Sequence, residues 1–186
     1  MVFRRTHLFP SWLLATNLST LGHTRRLRRV IRVSDESFLF EYVFETGFEH
    51  RRFRHHWVGA VQVVKHDYAR ALVAGSGWAR AVGAPIGHQR TTLGPPASPS
   101  ILTAHLEDPE QWSGPASAEL RAWFANQSPD HVWEIVPGYV IGYVPGVMSV
   151  QIGESMTAAT KSLAELLKLH PPEPATGHAQ VASVIA

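Results

Sequence analysis

The chain of 186 residues contains no cysteine. Disulfides, thiolate catalysis and cysteine-held zinc are therefore excluded, while the compartment stays open. Charge is scarce, at 17% of residues, which suits a chain that hides surface against partners. Residues 1–34 have no acid at all, and no internal repeat of the kind that builds a solenoid is present. Catalytic motifs are missing as well. No Gly-rich phosphate loop with its lysine, no His-Glu-x-x-His helix and no nucleophile elbow occurs, and Gly83 and Gly87 make no dinucleotide fingerprint. We expect no enzyme activity, no cofactor, no metal and no small-molecule substrate.

What is present is an asymmetry. Residues 1–34 carry seven arginines (Arg4, Arg5, Arg25, Arg26, Arg28, Arg29, Arg32), whereas residues 91–186 carry three bases and nine acids. A basic head on an acidic body points to targeting, to nucleic acid or to a partner of opposite pattern. Trp12, Leu13, Leu14, Leu18 and Leu21 fall at helical spacing ahead of the basic run RRLRR. Positive, hydroxylated and acid-poor, the segment 1–34 reads as a mitochondrial presequence or an interface helix, and fits a secretory signal less well.

Residues 35–82 are expected to form a hairpin and a helix. RVIRV, SFLFEYVF and FEHRRFRHHWV read as strands, the last two joined at Thr46-Gly47. Val61, Val64, Tyr68 and Leu72 suggest a helix over 58–74. The 13 prolines and 14 glycines concentrate the next expectation on 83–116, a Pro/Gly-rich linker draped over another protein. Residues 117–170 should hold a short helix at 117–127 with Leu120, Trp123 and Phe124 on one side, an apolar arm, and a helix at 155–169 capped by Ser155. That last helix presents Ala159, Leu163, Leu166 and Leu167, and Pro171-Pro172 ends it. The tail 171–186 should be extended. Residues 135–153 lack charge, near the length of a membrane span, but Pro137-Gly138 and Pro145-Gly146 favour two short extended pieces. Whether they touch lipid stays open.

Eleven histidines invite a metal reading. His50, His55 and His56 cluster beside Glu49, yet His55 and His56 would point to opposite faces of a strand. HRRFRHHW interleaves bases with Phe53 and Trp57, a composition that suits nucleic acid, an acidic protein surface or phospholipid headgroups.

The stretch VSDESFLFEYVFE followed by RFRHHWV resembles the NADH dehydrogenase alpha subcomplex subunit 12 and mimitin family. Val33, Asp35, Glu36, Phe38 and Tyr42 fit its first motif, and Arg54, His55, Trp57 and Val58 its second. Leu39-Phe40 replaces a Gly-Asn turn. Glu119–Phe124 and Ser128-Pro129-Asp130 look like a degenerate form of its later helix, with Leu120 in place of a tryptophan. The resemblance spans about residues 33–58 and 119–130. It implies an accessory subunit of mitochondrial complex I that holds no redox centre and lies on the matrix side of the inner membrane. Its interface anchors would be Phe38, Tyr42, Arg54, His55, Trp57, Trp123 and Phe124, set against other subunits of the complex. The residues themselves lead us to expect an α+β fold, irregular and extended, with a small antiparallel hairpin, short helices and long Pro/Gly-rich loops, and the extended character the resemblance implies agrees with this. Nucleic acid as partner, in a mitochondrial ribosomal protein, and a place in another complex such as the ATP synthase are the alternatives.

Overall fold

The computed structural model describes residues 10–48, 51–75, 87–93, 102–112 and 115–171. Its β-branched and aromatic runs form eight strands: β1 His23–Arg32, β2 Ser37–Thr46, β3 Phe53–Val63, β4 Ala71–Gly75, β5 Gln89–Leu93, β6 Leu102–Leu106, β7 Val132–Val136 and β8 Tyr139–Pro145. All join one antiparallel sheet in the order β1-β2-β3-β8-β7-β4-β6-β5. The helices are α1 Ser11–Leu14, α2 Pro115–Ala125 and α3 Val150–Leu169, with a 3-10 turn at Asn17–Thr20.

Both faces of the sheet are covered, which explains why its central strands lack a polar face. In β7, Trp133 and Ile135 turn to one side, and Val132 and Val136 to the other. The first side packs under α2 and α3 through Leu120, Phe124, Met156, Leu163, Ala164 and Leu167. The second packs under the N-terminal segment through Trp12, Leu13 and Leu18, which meet Phe40, Tyr42, Trp57, Ile141 and Tyr143. At the centre, Gly142 lets β8 lie close beneath the Trp133 ring and Met156, where any Cβ would overlap them.

This architecture corrects the expected irregular, extended chain: the molecule is built on one continuous sheet with its own two-sided core. Hairpin β2–β3 is present, in register from Ser37↔Gln62 to Thr46↔Phe53, but it is one part of eight strands. The helix expected over 58–74 is instead the end of β3, a connection and β4. Val64 and Tyr68 lie in one core cluster and Val61 and Leu72 in the other, so their helical spacing marks no common face. The valines at 58, 61, 63 and 64 are β-branched and suit a strand. Strands β5 and β6 run through the expected linker 83–116. The basic head forms no long helix either. After α1 and the 3-10 turn it enters β1, through Gly22 at φ +57°.

Other readings fall closer. Helix α2 places Leu120 and Phe124 in the core. Helix α3 starts earlier than expected, because Ser149, not Ser155, accepts the Ile152 N–H at 3.2 Å. Residues 135–153 supply most of the β7–β8 hairpin, turned at Pro137-Gly138, and the first residues of α3. Among the described residues no helix is long and apolar enough to cross a membrane. His50, Glu49 and the tail beyond Pro171 lie outside the described residues.

Candidate functional site

Strand β1 stands at the edge of the sheet. Register irregularities before Arg26 and between Leu27 and Arg29 break its alternation. Leu27 and Val30 turn toward the N-terminal core, while Arg25, Arg26, Arg28, Arg29 and Arg32 all face solvent. Charge on an edge strand blocks pairing with like strands. It also concentrates positive potential, and the sheet brings Arg51, Arg52 and Arg54 to the same side of the molecule through β2 and β3.

The arginines divide by their partners. Arg28 and Arg29 reach the buried Glu41 at 3.7 and 3.6 Å, with His56 Nδ1 at 3.5 Å from the same carboxylate. Arg32 pairs with Asp35 at 2.5 Å. Arg54 pairs with Glu45 at 3.1 Å and its hydrogen bond holds that carboxyl below its ordinary pKa. Arg25 bonds the Gly22 and Ser19 carbonyls. Arg25, Arg26, Arg51 and Arg52 form no ion pair among the described residues. These four sit where β1 begins, β2 ends and β3 begins, one end of the sheet. Phe48 and Phe53 project there, 86% and 61% exposed. His23 stacks on Phe48 at 6.1 Å. Gly22, His23, Thr46, Gly47, Phe48 and Arg52 line an open groove of about 540 Å³.

A second cluster is internal. Glu134 on β7 is 4% exposed and holds the N-terminal segment. The Asn17 N–H donates to its carboxylate at 2.8 and 3.1 Å, the Leu18 N–H at 3.4 Å, and the Tyr143 hydroxyl donates to Oε1. These amides open the 3-10 turn, where unpaired N–H groups favour an acceptor. Burial nevertheless dominates and raises the Glu134 pKa to about 7, while burial and the adjacent carboxylate push Tyr143 well above its ordinary value. Neither Glu134 nor Tyr143 lines a groove described here, so the pair fastens one layer to the next. A carboxyl with a raised folded pKa favours the fold below its unfolded pKa of 4.5, and that contribution is lost as pH rises to about 7. Burial lowers the pKa of His105 and His131, so their contribution runs oppositely and is lost as pH falls. Glu134→Gln isolates the carboxyl. Relative to wild type, the variant should be least compromised near neutral pH and most compromised near about pH 5. Urea midpoints across that range check this, and a pH-independent gap between the two proteins would refute it.

No family model and no curated protein matches the chain. Among solved structures it is similar to the crystal structure of the mycobacterial trehalose monomycolate transport factor A, TtfA. The identity is 13%, with 84% of this chain and 80% of that one covered and a TM-score of 0.49. A likeness this distant carries nothing about function to this chain.

The residues singled out from sequence scatter. Tyr42 and Trp57 are buried in the core beneath the N-terminal segment, where burial pushes the Tyr42 hydroxyl up to about 12. Trp57 meets Tyr143 edge-on at 5.2 Å, and Phe38 packs half-buried against the same cluster. Phe124, on α2, is buried in the core, and Trp123 links α2 to α3 by donating its indole N–H to Ser162 at 3.1 Å. His55 stacks on Phe44 at 4.9 Å and bonds Thr46 at 2.8 Å, on the sheet face away from His56 and Glu41. Only Arg54 of the set is strongly exposed. Among the described residues no group of three metal-ligating side chains gathers. Sequence reasoning missed Phe48, whose exposure depends on its place in a turn, and Glu134, whose signal was a lone acid in the apolar run VWEIV.

Proposed function

We propose that this chain is a non-catalytic docking protein whose working surface is the basic end of β1, β2 and β3, and that its partner there is anionic. The observation that carries this reading is the gathering of Arg25, Arg26, Arg51 and Arg52 without ion-pair partners among the described residues, while Arg28, Arg29, Arg32 and Arg54 are matched by carboxylates. Exposed cations without ion-pair partners among the described residues raise local potential and attract anions over about 8 Å at physiological salt.

Reversing Arg26 and Arg52 to glutamate tests it. Both are exposed, so the fold should change by no more than about 0.5 kcal/mol. Affinity for heparin, a soluble polyanion, should fall by more than about tenfold, or about 1.4 kcal/mol, and wild-type binding should weaken with salt. Unchanged, salt-independent binding would overturn the reading.

An accessory subunit of a mitochondrial inner-membrane complex, complex I first, is a special form of this proposal in which a neighbouring subunit supplies the anionic surface. It rests on residues 33–58 and 119–130 and on the acid-free head. The extended architecture that had supported it is replaced by the sheet. Native electrophoresis of gently solubilised mitochondria checks this form. Co-migration with NADH dehydrogenase activity supports it, and a free species of the chain's own mass overturns it.

A further inference from the structure

We infer that the end of the sheet where β2 ends and β3 begins docks on an anionic lipid bilayer, with Phe48 and Phe53 entering the headgroup boundary and Arg51 and Arg52 holding phosphates. The inference rests on the docking function proposed above and names its partner.

Three observations converge. The first is exposed apolar surface in the wrong place for folding. Phe48 and Phe53 stand on either side of the β2–β3 connection and are 86% and 61% exposed. Large aromatic side chains left outside a well-filled two-sided core mark a contact surface. The second is the company they keep. Arg51 and Arg52 lie between them in sequence, and Arg25 and Arg26 lie near the start of β1 at the same end of the sheet. His23 stacks on Phe48, and Arg52 lines the same open groove. From Phe48 to Phe53 the sequence has one acid, Glu49, against Arg51 and Arg52. An apolar tip beside cations matches a bilayer surface, where anionic headgroups lie above an apolar interior.

The third observation separates lipid from nucleic acid. Phe48 and Phe53 stand on either side of the β2–β3 connection instead of lining a sheet face in succession, as a base-stacking platform would need. An apolar tip on one connection suits insertion. The charge-free segment 135–153 takes no part in this surface: its hairpin is core, and β8 ends against Trp57, four residues into β3 from Phe53.

The test compares the full chain with its Phe48→Ser/Phe53→Ser variant. Each is sedimented with vesicles of phosphatidylcholine mixed with phosphatidylserine, and with vesicles of phosphatidylcholine alone. Heparin and poly-uridylate binding are measured beside them. Both changes are at exposed positions, and an unchanged thermal midpoint verifies the fold. The expected result is sedimentation with the phosphatidylserine vesicles only, weakened about tenfold or more in the variant, with heparin binding retained. Heparin binding without vesicle binding would overturn the lipid inference and leave the anionic-docking function standing. Vesicle binding indifferent to the two phenylalanines would overturn insertion. Poly-uridylate binding that falls in the variant, with no vesicle binding, would make the rings base-stacking groups and overturn it as well. Failure to bind heparin and vesicles alike would remove both proposals.

Discussion

Removing residues 1–21 should leave a chain that no longer unfolds cooperatively. The deletion takes away Trp12, Leu13 and Leu18, all buried against the second face of the sheet. Burial of each such side chain contributes about 1.5–3 kcal/mol, and a domain of this size is stable by only about 5–15 kcal/mol. The same cut strips the Asn17 and Leu18 amides from Glu134 and leaves a carboxyl facing exposed apolar surface. A buried acceptor deprived of donors costs a further 1–3 kcal/mol or so. Broad urea transitions, loss of near-ultraviolet dichroism and dye binding would register the effect. A sharp transition at the wild-type midpoint would show that the segment is dispensable. The consequence reaches the targeting reading: cleavage after residue 34 would remove β1 and the whole cover of one core face.

Trp133→Ala should be the most damaging single change, at about 3–5 kcal/mol. Trp133 is fully buried, lies over Gly142, and meets Trp123 at 4.9 Å and His131 at 5.7 Å. Its ring thus joins β7, β8 and α2. The cavity it leaves opens directly above Gly142, where a methyl group would otherwise collide with the ring. Gly142→Ala alone should therefore destabilise, whereas in the Trp133→Ala background it should cost less. A double-mutant cycle by chemical unfolding measures that coupling. Strict additivity would show that the ring and the glycine do not constrain each other.

How much of this was legible depended on whether local pattern or sheet partner decided the conformation. Strands β2 and β3 were readable because aromatic and β-branched runs flank Thr46-Gly47, and the local turn fixes their register. Helix α3 was readable from its apolar face. The stretch 58–74 misled because Val61, Val64, Tyr68 and Leu72 mimic a helical stripe while serving opposite faces of a sheet covered on both sides. Strands β5 and β6 sit amid prolines and glycines, and β6 pairs with β4, some thirty positions earlier in sequence. No short window carries that information. The candidate site was legible in composition only. HRRFRHHW and the arginine head announced a basic surface, but which arginines lack a carboxylate partner follows from register. Arg28 and Arg29 reach Glu41 across β1–β2, whereas Arg26 sits opposite Val43. The aromatic anchors chosen from sequence, Tyr42, Trp57 and Phe124, are large and were expected at an interface. They turned out to fill this chain's own interior.

Strand order has a consequence for synthesis on the ribosome. The two central strands, β7 and β8, are the last of the eight to emerge, and they fill the gap between β3 and β4. Until Pro145 has left the exit tunnel, the growing chain carries two separate ribbons, β1–β3 and β4–β6, each with an apolar inner edge that has nothing to pair with. Closure of the sheet waits for contacts distant in sequence, which slows folding and prolongs exposure of those edges. Arrival of the β7–β8 hairpin, not helix formation, is what joins the two ribbons into one sheet.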